Sequence, residues 1–587
     1  MGYVTVTEDG ELGAATMLPP VTGAMALDFE ASGRLVYSRD FVPRMCQVTY
    51  NGSLAYLIPA DNAEIIRHLV MTAPKIIVHN GSYDLAVLDK CYDVPLEVTW
   101  PKAEDTQDMA RILYPTASEK LKDLMRDHLG MLTDSDKALR DEFRLLKLHP
   151  IETGYARIPL DNDVFMMYAG LDPIGTYKLW QLWRGQVNTA LLGVEHALQF
   201  QTACMTRRGL LLDTEETERQ IGVLDSAVAH AEARLAVSGI PANVAKDEAR
   251  TALQGFLEAQ GATVGFTPKS GKLKIGAEDL TLATMEASDA ARAVVADIVL
   301  VRQCAKTKAS YLDAFLLSAE ADGRLHPTIR TMAARTHRMS ISTPPLHQIP
   351  GHALTIQLMG ETLTADTRGC LTADPGMSLI RADYKQIEQR VMATLARQEN
   401  MLEAIRQGID FHQAVARDIY QVALEDVTDQ QRDYAKRAGY LMIYGGGPKR
   451  LAITAKIPVR QAADIIKLFK RTYERVVEYS DYLQHCNEVV TPFGRHLPID
   501  ANRRYAATNY MIQSTARDLF VMGGVNIIRA GYMDYLWLPI HDEWILNVPV
   551  DDAERLAKEL SNIMFTDFYG TPIVAEGVVL GPRWHKG

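Results

Sequence analysis

The run WLPIHDEWILNV (537–548) is apolar except at its middle. Trp537, Leu538 and Ile540 predict one strand and Trp544, Ile545, Leu546 and Val548 another, with His541-Asp542-Glu543 turning between them. A carboxylate fixed in such a hairpin suits a hard cation such as Mg²⁺, which takes oxygen ligands and few of them from protein. An ordinary polar turn gives the same pattern, so a partner acid is needed. SLIRADYKQIEQRVMATLA (378–396) opens as a strand, passes Asp383 and becomes a helix whose Ile387, Val391 and Leu395 share a buried face. If Asp383 and Asp542 end neighbouring strands, they can hold two ions about 3.5–4 Å apart, the arrangement that clamps both oxygens of a phosphoryl transfer. QQRDYAKRAGYLMIYGGG (430–447) sets Arg432, Lys436, Tyr440 and Tyr444 on one helix face before a glycine stop. Two cations one turn apart can grip phosphates while the rings lie under a base and sugar; an amphipathic helix with exposed cations reads alike.

The N-terminal third has a second acidic pattern. MALDFEASG (25–33) is a short strand that puts Asp28 and Glu30 on one side, because strand side chains alternate. IIVHNGSYDLAVL (76–88) adds a strand followed by Asn80 and Asp84, and FMMYAGLDPIGTYKLW (165–180) a helix with Tyr168 and Asp172 one turn apart. Four carboxylates and a tyrosine make another two-metal arrangement, in which the phenol can orient an attacking water.

Composition narrows the class. The chain has 587 residues, 47% hydrophobic and 23% charged, which is ordinary globular protein with room for several domains. It has no long apolar run and its first residues are neither basic nor apolar, so the expectation is no membrane span, no signal peptide and a cytoplasmic setting. Cys46, Cys91, Cys204, Cys304, Cys370 and Cys486 form no CxxC pair and predict buried thiols rather than a zinc ribbon or disulfide framework. Net charge is −11, yet the stretch from Arg432 to Arg475 carries eleven Lys/Arg against three acids. Further basic clusters lie at Arg324, Arg330, Arg335 and Arg338, and in TPKSGKLKIG (267–276). Acidic bulk with basic stretches suits a protein that holds a polyanion in one groove.

These stretches together resemble a family A DNA polymerase, the bacterial DNA polymerase I type. DYKQIEQR is similar to its first palm motif, RDYAKRAGYLMIYG to its fingers helix and HDE to its second palm motif. THRMSISTPPLHQIP (336–350), GIDFHQAVA (408–416), TPFGRHLP (491–498), NYMIQSTARD (509–518) and GPRW (581–584) fit in the same order, so the resemblance covers about residues 195 to 587. It implies that Asp383 and Asp542 ligate two Mg²⁺, with Mn²⁺ able to substitute, helped by the Tyr384 carbonyl and with Glu543 in support. It implies that Arg432, Lys436 and His412 bind the incoming dNTP beside Gln386, with Lys436 the proton donor to pyrophosphate. Glu388 would crowd a 2′ hydroxyl, Tyr440 lie under the nucleotide and Tyr444 seat the templating base. Arg338, Gln513 and His541 would follow the primer terminus and minor groove, where readout is largely insensitive to sequence. Lys385, Gly439, Leu441 and His337 depart from the family pattern and point to a divergent, bacteriophage branch; Gly439 could bend its helix.

The N-terminal pattern is similar to the DEDD-type 3′–5′ proofreading exonucleases with a tyrosine. Asp28, Glu30, Asp84 and Asp172 match the metal ligands and Tyr168 the residue that positions water, which implies live proofreading. No room for a 5′-nuclease is expected before it. The implied fold is a multidomain α/β and α+β chain, a ribonuclease H-like exonuclease followed by a right-hand polymerase. Its expected parts are exonuclease (1–185), thumb and connecting helices (186–340), palm (341–400 and 485–587) and fingers (401–484). The thumb looks too short for a large processivity-factor insertion, so no thioredoxin-like partner is expected. A monomer acting on primer-template DNA and dNTPs is expected, with phage or host replisome proteins as further partners and phage genome replication in a bacterial cytoplasm as its setting. The alternative is a 3′–5′ exonuclease whose C-terminal part only holds DNA; a structural DNA-binding protein, an RNA polymerase and a reverse transcriptase are weaker rivals.

Overall fold

The computed structural model describes residues 3–131, 134–358, 361–455 and 457–585; Lys456 of the basic segment lies outside them. Its N-terminal part is built on a seven-stranded mixed sheet, in the order Leu12–Ala15, Tyr3–Thr7, Leu54–Pro59, Pro43–Thr49, Ala24–Ala31, Lys75–Val78, Ala103–Asp105. Ala24–Ala31 is antiparallel to Pro43–Thr49 and parallel to Lys75–Val78. Strand alternation divides the burial of this central strand. Met25, Leu27 and Phe29 enter a core with the helices Ala63–Thr72 and Gly81–Tyr92, while Ala26 joins the core under the helix Asp163–Trp183. That helix crosses the sheet closely because Gly170 meets Val6, where an added Cβ would come within 2.4 Å of a valine methyl.

The helices Thr189–Arg208, Thr214–Val237 and Asp289–Thr307 follow, and a separate small core surrounds Leu253, Leu257, Leu280 and Ile298. A second sheet then forms from four antiparallel strands, in the order Leu536–Ile540, Glu543–Pro549, Met377–Tyr384, Ala575–Gly581. The helix Ala507–Arg529 backs it, and Gly523 leaves space for the Tyr384 hydroxyl, which an added Cβ would approach to 2.4 Å. Between the first two strands of this sheet in chain order, Met377–Tyr384 and Leu536–Ile540, the described residues of 399–485 form six α-helices, from Glu399–Arg406 to Glu474–His485.

The two large parts share more than a linker. Glu195, Arg495, Arg517 and Asp518 form a fully buried ionic network, with Arg517 Nη2 to Glu195 Oε2 at 2.6 Å and Arg495 Nη2 to Asp518 Oδ1 at 2.7 Å. Glu195 lies on the helix after the first sheet and the other three beside the second, so the junction is pinned by charge as well as packing.

Candidate active sites

Asp383 is next to last in its strand and its register partner across the sheet is Glu543. Asp542 immediately precedes Glu543, and the Tyr384 N–H donates to the Asp542 carbonyl at 3.2 Å, so both acids stand at one end of adjacent strands. The turn is shorter than expected from the sequence. Only His541 and Asp542 reverse the chain; Glu543 already pairs with Ile540 as strand. The reversal is possible because His541 takes φ +53, a left-handed conformation in which His is enriched. Glu543 is consequently buried, between Arg381 at 3.3 Å and Arg368 at 3.6 Å. Burial raises the Asp542 carboxyl, and Arg338 at 3.6 Å and His541 offset part of that rise.

The helix Asp429–Tyr444 comes near these acids, since the charges of Asp542 and Asp383 reach its Tyr440. A capping box starts it, Gln431 N–H donating to Thr428 Oγ1 and Thr428 N–H to Gln431 Oε1, and Gly445 at φ +67 ends it. It runs unbroken through Gly439. Arg432 is held by Asp410 at 2.8 Å. Asp410 also caps the helix Phe411–Tyr420, which brings the His412 ring to 6.0 Å from that of Tyr440. Burial lowers His412 to about 4, so its ring is neutral near physiological pH. Lys436 occupies the turn between Arg432 and Tyr440. Tyr440 faces Tyr444 at 6.5 Å, and the Tyr444 hydroxyl reaches both oxygens of Glu388 at 3.0 and 3.3 Å. Arg338 meets the same carboxylate at 2.6 Å, and Gln513 donates to the Tyr444 hydroxyl at 3.1 Å. Gln386 precedes the helix Ile387–Ala396 at φ +47. The Tyr384 hydroxyl is buried against the Met564 carbonyl at 2.8 Å, leaving only its backbone for a ligand. His541 is exposed and stacks on His347, ring centroids 5.4 Å apart. His347, Arg381, Arg368 and Asp410 have no signal in the sequence beyond residue type.

The N-terminal acids also converge. Asp28, Glu30 and Asp172 each offer an oxygen within 4.8 Å of the others. Asp84 arrives from the opposite face. The strand Ala24–Ala31 outruns its parallel neighbour after Ala26, and the Phe29 N–H left over donates to Asp84 Oδ1 at 3.1 Å. Burial pushes the carboxyls of Asp28, Glu30 and Asp84 well above their usual range, and neighbouring acids add to each. Tyr168 lies one turn before Asp172 on the same helix. Lys122, which the sequence reading missed, pairs with Asp172 and stands 4.4 Å from the centre of the Tyr168 ring. Its one sequence cue is a lysine between apolar positions, beside Leu121, Leu124 and Met125 of a short helix. A cleft of about 850 Å³ opens over Asp28, Glu30, Tyr168 and Asp172, and its far wall includes Arg330, Ser342 and Thr343 from the C-terminal part. Both centres are all-oxygen, and the crowded acids of the second fit a divalent cation, which relieves like-charge repulsion at such spacing.

Comparison with known proteins agrees with two catalytic parts. Residues 3–187 match the family described as 3′-5′ exonuclease and residues 251–586 the one described as DNA polymerase family A. The chain is 29% identical over 585 residues to the DNA polymerase of Mycobacterium phage D29, covering 95% of this chain and 92% of the relative. It is 28% identical over 558 residues to that of Mycobacterium phage L5, covering 92% and 89%. Its fold is similar to the POL domain of Pol1 from M. smegmatis, solved in complex with DNA primer-template and dNTP, with a TM-score of 0.75 at 21% identity over 96% of this chain and 95% of that one. No helix among the described residues is long and apolar enough to cross a membrane. The chain belongs to DNA polymerase family A, with a 3′–5′ exonuclease domain preceding its polymerase region.

Proposed function

We propose that Asp383 and Asp542 hold two Mg²⁺ ions, or Mn²⁺ in their place, at the site where a primer 3′ end is extended with dNTPs. The observation that carries this is the strand register that puts both acids at one end of the sheet, close enough to the helix of Arg432 and Lys436 that their charges reach Tyr440 on it. Bound there, the ions would activate the primer hydroxyl and neutralise the leaving pyrophosphate. Arg432 and Lys436 offer charge to a triphosphate, with neutral His412 beside them and Lys436 in position to return a proton to pyrophosphate. Tyr440 offers its ring to the nucleotide, Glu388 closes the space at its 2′ carbon and Tyr444 turns toward the template. Gln386 and the Tyr384 backbone complete the nucleotide's surroundings, while Arg338, Gln513 and His541 lie where a primer terminus would run. Glu543 acts as a support, fixing Arg381 and Arg368 under the strand ends.

In the N-terminal domain, Asp28, Glu30, Asp84 and Asp172 would hold the metal ions of proofreading, and Tyr168 would orient the attacking water. The substrates are primer-template DNA and dNTPs, the acting species a monomer. Two mycobacteriophage relatives support replication of a phage genome in the cytoplasm of its bacterial host.

The test is extension and degradation of a labelled primer-template by wild type, Asp542→Ala and Asp28→Ala. Asp542→Ala should lose extension and keep degradation, and Asp28→Ala the reverse. A wild type that degrades but never extends with dNTPs would leave the C-terminal part a holder of DNA and overturn the assignment of Asp383 and Asp542.

A further inference from the structure

We propose that Lys122 is a positioning residue of the exonuclease centre, holding Asp172 and the ring of Tyr168 in one fixed relation through a single ammonium group. The inference rests on the exonuclease reading of Asp28, Glu30, Asp84, Tyr168 and Asp172.

The geometry is unusual for a lysine. Lys122 is 9% exposed, on the helix Leu121–Leu129, which packs against the helix carrying Tyr168 and Asp172. Its Nζ bonds Asp172 Oδ1, reaches toward the Tyr168 carbonyl at 3.5 Å and sits 4.4 Å from the centre of the Tyr168 ring. A buried lysine forfeits its hydration, and among the groups that compensate this one are the Asp172 carboxylate and the Tyr168 ring, both in the candidate site. Its reach extends beyond that pair: the same charge favours the ionised forms of Asp28, Glu30 and Asp172 against the burial that opposes them. Arg44 acts on Glu30 and His79 on Asp172, but Lys122 acts on all three.

Two consequences separate this role from plain structural support. A cation among metal ligands competes with the metal, so replacing Lys122 by an apolar side chain of similar length should leave divalent-ion binding intact or tighter. Losing the clamp should instead free Asp172 and Tyr168 to turn, lowering turnover by about 10–100-fold, as for other partners that orient metal ligands.

The experiment compares Lys122→Met and Lys122→Arg with wild type and Asp28→Ala, with primer extension by each variant as the check on folding. Exonuclease kcat and KM are measured on a single-stranded oligonucleotide with Mg²⁺. Mn²⁺ binding is measured by electron paramagnetic resonance in an Asp383→Asn, Asp542→Asn background, so that ions at the polymerase centre do not contribute. The expected result is a fall in kcat for Lys122→Met with KM and Mn²⁺ affinity retained, and recovery of turnover in Lys122→Arg, which keeps the charge over the ring. Unchanged kcat in Lys122→Met, loss of Mn²⁺ together with activity, or equal loss in both variants overturns the proposal. If wild type itself degrades nothing, or Asp28→Ala degrades as wild type does, the exonuclease reading fails instead.

Discussion

The hydroxyl of Tyr444, at the end of the fingers helix, contacts both carboxylate oxygens of Glu388 at the start of a palm helix, at 3.0 and 3.3 Å. The contact ties the helix Asp429–Tyr444 to the helix Ile387–Ala396 that follows the strand carrying Asp383. Glu388 cannot face a sugar and keep Tyr444 without both sharing one carboxylate. Tyr444→Phe should therefore cost about 0.5–1.5 kcal/mol of stability and loosen discrimination between dNTP and rNTP only slightly. Glu388→Ala should do more, because it also removes the nearer carboxylate partner of Arg338, at 2.6 Å, and leaves it only Asp542 at 3.6 Å among the ion pairs of the described residues. Thermal melts and single-nucleotide incorporation of dNTP against rNTP check both.

Gly170 provides a prediction that separates the two domains. A methyl at this position would press on Val6 and lift the helix that carries Tyr168 and Asp172 away from the strand that carries Asp28 and Glu30. Gly170→Ala should destabilise the exonuclease domain by about 1–3 kcal/mol and depress degradation while extension persists. Parallel assays on one preparation read both activities.

The buried network at the domain junction should be costly to break. Glu195 would be raised by burial alone, but Arg517 and Arg495 more than reverse this and hold it at about 2, against an ordinary 4.5. Its folded pKa is depressed, so its contribution to stability is complete above pH 4.5 and is lost as pH falls from there toward 2. Glu195→Gln should cost about 3–5 kcal/mol at neutral pH, since it leaves two buried guanidinium groups short of charge. Urea denaturation of variant and wild type measures it.

His337 gives a pH dependence in a higher range. It is buried, neither ring nitrogen has a hydrogen-bond partner among the described residues, and burial with Arg495 and Arg517 lowers it from 6.5 to about 3. The folded chain keeps it neutral while the unfolded chain protonates it below pH 6.5, so stability present above 6.5 is lost as pH falls from there toward 3. The loss approaches about 1.4 kcal/mol per pH unit for this one group. His337→Asn, which tolerates the φ of +58 found there, should flatten the decline in urea midpoints between about pH 7.5 and about pH 5.5.

Much of both sites was legible because local patterns carried it. The glycine stop marked where the helix Asp429–Tyr444 ends, and its four-residue spacing set Arg432, Lys436, Tyr440 and Tyr444 in line. Alternation along MALDFEASG put Asp28 and Glu30 on one side of a strand before any partner was known. Family resemblance supplied the roles, which geometry alone does not name.

What lay beyond the sequence were the relations between elements that no motif marks. It cannot tell that Asp84 reaches Phe29 because one strand outruns its neighbour, or that Lys122 belongs to Asp172 rather than to solvent. It placed Glu543 in a turn, where the left-handed His541 instead closes the hairpin in two residues and delivers Glu543 to Arg381 and Arg368. The physical reason is one of range. Periodicity and caps are energies between residues a few positions apart, which the chain order itself displays. Ion pairs such as Glu195 with Arg517, and close approaches such as Gly170 on Val6, depend on which surfaces meet, and only the folded packing decides that.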